Sequence, residues 1–178
     1  MPSEPTSRPF HITKPAATRA LASATRQEIV DVLSSAGPCT VSQLADLLGR
    51  RPDALYFHLR SLERVGLVCQ KAVPDSEASG GVVYELPGSE VRLDYDAAPR
   101  ADLARVVRHA LKLSIREFER ECLAGRSIGA GAERVLWGGR VMGWVNAKEL
   151  AQINSLIESL HAILRKGRPG ADRRAISL

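Results

Sequence analysis

The sequence predicts a mainly α protein with one small β element, on three observations. Aromatic residues make up only 4% of a chain that is 44% hydrophobic. Aliphatic side chains therefore build the core, which suits packed helices better than aromatic-rich sheets. Apolar residues recur at three- and four-residue spacing through most of the chain. The clear departure is a pair of short apolar runs, Leu67-Val68-Cys69 and Val82-Val83-Tyr84, around a polar stretch with Pro74, Asp75, Ser79, Gly80 and Gly81. That pattern is a β-hairpin with a loose tip.

Residues 1–18 hold four prolines and no period, which predicts a flexible arm. A helix over 19–36 follows, with Leu21, Ile29, Val32 and Leu33 on roughly one face, and Gly37-Pro38 stops it. A second helix opens at Thr40. Thr40 and Gln43 have the spacing of a capping box, in which each side chain satisfies an orphan backbone N–H. Val41, Leu44, Leu47 and Leu48 form its expected inner face, and Gly49 is its left-handed cap. A third helix starts near Pro52, a residue suited to a first helical position. It runs to Val65, buries the stripe Leu55, Leu59 and Leu62, and is closed by Gly66.

After the hairpin, residues 87–98 are polar and mildly acidic and are expected to be a linker. An amphipathic helix is predicted from about Asp102 to Cys122, with Leu103, Val106, Val107, Ala110, Leu111, Ile115 and Phe118 inward. Residues 124–145 are rich in glycine, and Val135-Leu136-Trp137 and Val141 to Val145 are candidates for short strands. A last helix opens at Asn146, with Glu149 placed for a second capping box, and runs to about Lys166. Residues 167–178 form a basic, flexible tail. The expected units are thus the arm 1–18, a module at 19–86, the linker 87–98, a helical module at 99–166 and the tail.

The net charge of +5 resides in the ends. Arg8, Lys14 and Arg19 against Glu4 make residues 1–19 +2, and residues 165–178 are +4, which leaves −1 for the body. A nucleic-acid partner must therefore be argued from where the body's charges sit. Three widely spaced cysteines, Cys39, Cys69 and Cys122, argue against a disulfide framework. No apolar run approaches the roughly 18 residues that span a bilayer, and no signal-peptide core is evident; a cytoplasmic protein is expected.

The order helix, tight turn, helix, hairpin is that of a winged helix-turn-helix. The first helix of the pair braces the second, so that the second can enter the major groove, which is wide enough for one α-helix. At about 100° per residue, Leu55, Leu59 and Leu62 lie within one narrow sector. The opposite side carries Asp53, Phe57, Arg60 and Arg64, and the same wheel adds Arg50. Arginine can read guanine bidentately or grip phosphate. Tyr56 lies on the flank, where its hydroxyl could reach a phosphate. Phe57 is the odd member, since an exposed phenylalanine is costly unless it meets an apolar group such as a thymine methyl.

Two stretches carry a family resemblance. Residues 20–27, Ala-Leu-Ala-Ser-Ala-Thr-Arg-Gln, and residues 56–68, Tyr-Phe-His-Leu-Arg-Ser-Leu-Glu-Arg-Val-Gly-Leu-Val, resemble the ArsR-type winged-helix regulators over about residues 19–86. The resemblance implies bacterial transcriptional regulation, usually repression, by a homodimer on double-stranded DNA. It implies DNA contacts along Arg51, Pro52, Asp53 and Ala54 and at Tyr56, Phe57 and Arg60. Two departures stand out. Metal sensors of that family carry a Cys-x-Cys element before the recognition helix, and Thr40–Leu48 has neither cysteine nor histidine. The hairpin tip is acidic, with Asp75 and Glu77, and Lys71 is the cation there.

Other chemistry is weaker. His58, at the edge of the stripe, reads as a packed, hydrogen-bonded histidine. Gly129-Ala130-Gly131 lacks the Lys-Ser/Thr of a phosphate loop. No metal set, cofactor motif or catalytic triad is evident, so no enzyme is expected. Leu150, Ile153, Ile157, Leu160 and Leu164 follow the a/d spacing of a coiled coil. With Leu103, Val107 and Leu111 they are the expected dimerisation residues, the alternative being a core helix packed within the chain. Trp137 and Trp144 suit the wall of a small-molecule effector pocket or a plain core equally. The whole reads as a winged helix-turn-helix with a small β-hairpin wing, followed by a helical dimerisation module. The rival readings are a winged helix that binds protein and not DNA, and an enzyme using the C-terminal half.

Overall fold

In the computed structural model, residues 8–72, 82–125, 128–135, 138 and 141–166 are described. Strand β1 (Phe10–Ile12) leads through a short turn into α1 (Pro15–Ala20), with Pro15 at the helix start. Residues 8–18, expected as part of a flexible arm, are therefore ordered into a strand and a helix. β1 pairs in parallel with β5 (Val91–Leu93), Phe10 against Val91 and Ile12 against Leu93. The expected linker thus carries a strand as well. The approach is tight: a Cβ on Gly88 would lie 2.6 Å from the Arg8 carbonyl oxygen, so only glycine fits there.

The helix expected over 19–36 is broken. α1 ends at Ala20, and α2 (Ala24–Ala36) starts after Ser23, whose backbone is extended. The break needs no glycine or proline, because α2 side chains take up the freed carbonyls. Arg26 Nε donates to the Ala20 carbonyl, and Gln27 Nε2 donates to the Leu21 carbonyl at 2.8 Å. α3 (Val41–Leu48) and α4 (Pro52–Arg64) follow, with β2 (Cys39–Thr40) just before α3. β3 (Cys69–Ala72) and β4 (Val82–Glu85) form the hairpin, and β2 joins it to give an antiparallel sheet of order β2-β4-β3. Leu67 and Val68, expected as strand residues, sit before β3 and are buried in the core.

The core lies between α2, α3, α4 and this sheet. Ile29, Leu44, Leu55, Leu59, Leu62 and Leu67 are wholly buried in it. Leu47, expected inward, is 55% exposed. At about 100° per residue it falls well off the Leu44–Leu48 stripe, and two turns of helix bury only one stripe.

Two compact units divide the chain, Met1–Leu111 and Lys112–Leu178. α5 (Arg100–Leu123) begins in the first. Its first turns belong to the core of that unit: Val106 is buried in the cluster, its carbonyl accepts from Gln27 Nε2 at 2.9 Å, and Asp102 pairs with Arg19 at 3.5 Å. In the second unit, α6 (Ala147–Lys166) has the expected capping box. Asn146 Oδ1 accepts from the Lys148 and Glu149 amides, and Glu149 Oε2 accepts from the Asn146 amide at 2.7 Å. The strand expected at 141–145 is not formed, and of the one expected at 135–137 Leu136 and Trp137 lie outside the described residues. No helix of the described residues is long and apolar enough to cross a membrane.

Candidate nucleic-acid interface

α3 is set first. The Thr40 hydroxyl accepts from the Gln43 amide at 3.2 Å, and the Gln43 side chain accepts from the Thr40 amide at 2.8 Å. The helix ends on Gly49 at φ 60°, left-handed backbone that glycine adopts without steric cost. The Arg50 amide then donates back to the Ala45 carbonyl at 2.8 Å, which closes the turn. Arg50 reaches across to Glu28 on α2, with Nη2 to Oε2 at 2.6 Å. The turn is therefore fastened at both its backbone and its side chain.

α4 leaves this turn with Arg51 as its N-cap and Pro52 as its first residue. Asp53 in the first turn and Arg64 in the last both complement the helix dipole. Leu55, Leu59 and Leu62 are wholly buried, which turns Asp53, Phe57, Arg60 and Arg64 to solvent. Arg51 and Ala54 are exposed beside them, and Tyr56 is half-exposed on the flank. Arg51 lies 3.9 Å from Asp53, but both are so exposed that the pair holds neither in place.

Arg50 departs from the expected set. Extending the α4 wheel backwards groups it with the outward face, but the helix starts at Pro52, so the wheel does not reach it. Its guanidinium is occupied by Glu28, and it positions α4.

The sheet is fastened to the same helix. Gln70 on β3 donates from Nε2 to Glu63 Oε2 of α4 at 3.2 Å and to the Tyr84 hydroxyl of β4 at 3.5 Å. Tyr84 is buried. Its phenol is pushed above the ordinary tyrosine value by burial, with the negative charge of Glu63 adding and Arg60 opposing. It stays protonated as a hydrogen-bonding partner. Sequence reasoning missed this Glu63–Gln70–Tyr84 brace; only the polar flank of α4 hints at it. Lys71 is exposed on β3 opposite Val83. The acidic tip with Asp75 and Glu77 lies outside the described residues.

His58 is half-buried against the same elements. Burial, then Arg26 and Arg50, hold its imidazole below the ordinary histidine value. Its Nδ1 is buried with no hydrogen-bond partner among the described residues, contrary to the bonded histidine expected. Burial raises the Cys39 thiol, which keeps it an inert core group. Among the described residues no cluster of three or more His, Cys, Asp or Glu side chains could hold a metal.

The residues expected to pair two chains fall into different settings. Leu103 is buried within its own chain, because α5 starts as part of the core of the first unit. Val107 and Leu111 are exposed, as are Leu150, Ile153, Ile157, Leu160 and Leu164. Trp144 is fully exposed and so lines neither a core nor a pocket within the chain.

Comparison with known proteins bears on the same segment. The model of a family described as a helix-turn-helix domain matches residues 21–69. No curated protein matches. Among solved structures, the chain is 18% identical to RV1404 from Mycobacterium tuberculosis, covering 88% of this chain and 85% of that one, with a TM-score of 0.34. It is 15% identical to the apo form of wild-type MarR from E. coli, covering 83% and 87%, with a TM-score of 0.32. With α3 bracing α4 and the β2-β4-β3 sheet beside them, residues 21–69 are a helix-turn-helix domain within a winged-helix fold.

Proposed function

We propose that this chain is a sequence-specific regulator of transcription, of the ArsR type, that binds double-stranded DNA with α4 in the major groove. The observation that carries this reading is the outward face of α4. Arg60 and Arg64 stand opposite a fully buried leucine stripe, on a helix fastened by the Arg50–Glu28 pair and the Gln70–Glu63 contact. A rigid helix with exposed cations on one side suits groove recognition. The expected DNA set is Arg51, Asp53, Ala54, Tyr56, Phe57, Arg60 and Arg64, with Lys71 on the wing, and Arg50 acts behind it.

The protein works as a homodimer in this reading, and a bacterial repressor is the role the ArsR resemblance favours. Support for pairing comes from α6: every side chain described between Ala147 and Lys166 is exposed. The large apolar ones among them are Leu150, Ile153, Leu156, Ile157, Leu160, Ile163 and Leu164. An isolated helix of this length is marginal in water unless its apolar face is covered. A second copy covers it with its own seam. It also supplies the second reader that a two-fold operator with half-sites about 34 Å apart requires.

The experiment is selection of bound duplexes from fragmented bacterial DNA by the full-length protein, followed by titration of the enriched sequence. Enrichment of one sequence, bound roughly a thousandfold or more tighter than random duplex, is expected. No binding to any duplex at low salt would turn the fold into a protein-interaction module.

A further inference from the structure

Phe57 is 70% exposed in the middle of an otherwise polar helix face. The fold has no use for it there, because Leu55, Leu59 and Leu62 fill the core side of α4 completely. Its ring stands nearly at right angles to the imidazole of His58, with centroids 5.6 Å apart and planes at 76°. His58 is itself half-buried and kept neutral by burial and by Arg26 and Arg50. The Phe57 carbonyl accepts from Ser61 Oγ at 2.9 Å, one turn on.

The surroundings select the occupant. Phe57 lies in the second turn of α4, in the half of a recognition helix that meets base edges. Arg60 and Arg64 lie on the same face, farther along. Cations around an apolar side chain favour a polyanion over an apolar protein surface. The apolar group that duplex DNA offers in the major groove is the 5-methyl of thymine. We propose that Phe57 packs against a thymine 5-methyl group, so that each half-site carries a thymine at one fixed position which Phe57 reads. The inference rests on the DNA-binding reading above and names what one residue of that face recognises.

The test replaces each thymine of the selected duplex by uracil, which removes the methyl and leaves the pairing edge unchanged. At one position per half-site, wild-type protein should bind the uracil duplex about fourfold more weakly, the worth of one buried methyl-sized group. Phe57→Ala should bind the thymine duplex more weakly and lose the thymine–uracil difference at that position. Phe57→Leu should keep part of the difference. All three proteins should melt alike, since the side chain is exposed. If no thymine-to-uracil change weakens wild-type binding, or if Phe57→Ala keeps the full preference, the inference is overturned while DNA binding stands. If wild-type protein binds no duplex, that failure appears before any uracil is introduced, and both readings fall together.

Discussion

Arg50 and Arg60 carry the same side chain in different settings. Arg60 is exposed on the outward face of α4, whereas Arg50 is tied to Glu28 at 2.6 Å. Arg60→Ala should weaken operator binding by roughly 1–3 kcal/mol with little change in melting temperature. Arg50→Ala should destabilise the fold by roughly 1–2 kcal/mol, because a half-buried carboxylate loses a charged hydrogen bond. Thermal melts and binding titrations on the two variants separate these outcomes. His58 adds a pH dependence. Its folded value lies below the ordinary one, through burial and then Arg26 and Arg50, so on acidification the unfolded chain takes up the proton first. Its contribution to stability is full above about pH 6.5 and is lost as pH falls through the depressed folded value. Urea midpoints for wild type should drop on acidification from neutral pH through that range, and His58→Gln should flatten the drop.

At the scale of elements, α4 and α6 put similar apolar stripes to opposite ends. α4 starts on Pro52 without a side-chain cap and α6 on the Asn146–Glu149 box, and both carry a regular apolar stripe. The stripe of α4 is wholly buried, whereas that of α6 is exposed along its length. Charge on the α6 seam therefore tests pairing directly. Ile157→Glu would place an unpartnered carboxylate in a paired seam, at a cost of roughly several kcal/mol. It should yield monomers by sedimentation and weaken operator binding sharply, while circular dichroism of the reader stays unchanged. Wild-type protein that sediments as a monomer at micromolar concentration would defeat the homodimer without any mutant. The first turns of α5 behave differently again: Leu103 and Val106 are buried, Gln27 donates to the Val106 carbonyl and Arg19 pairs with Asp102. Substitutions at Leu103 should unfold the reader, not merely separate two chains.

Across the whole molecule, positive charge gathers at the ends of the chain. Residues 167–178 include Arg168, Arg173 and Arg174 against Asp172. We propose that these residues add phosphate attraction without sequence preference. Deleting residues 167–178 should lower the salt slope of DNA binding by about 0.9 for each phosphate that the tail neutralises. The preference for operator over random duplex should be unchanged. An identical slope for full-length and shortened protein would make the tail a bystander. Residues 8–18 are less suited to deletion, because β1 is paired with β5 and α1 carries buried Ala17 and Thr18.

What could be read without the structure is what neighbours along the chain decide. The Thr40–Gln43 and Asn146–Glu149 boxes, the Gly49 stop and the Leu55–Leu59–Leu62 stripe all follow from side chains three or four residues apart. Their geometry is nearly complete within one or two helical turns. What had no local signal was decided by partners far along the chain. The break between α1 and α2 is held by Gln27, whose second bond reaches Val106, 79 residues away. β2 is two residues long and exists because β4 lies beside it. Arg50 reads as a DNA contact on a helical wheel, which cannot see Glu28, 22 residues earlier, on another helix. The exposure of α6 and Trp144 belongs to the same class, since periodicity marks an apolar face but not whether the chain itself covers it. Helical hydrogen bonds close within four residues, so sequence alone determines them well; strand pairing, ion pairs and burial close over tens of residues, so only the tertiary structure decides them.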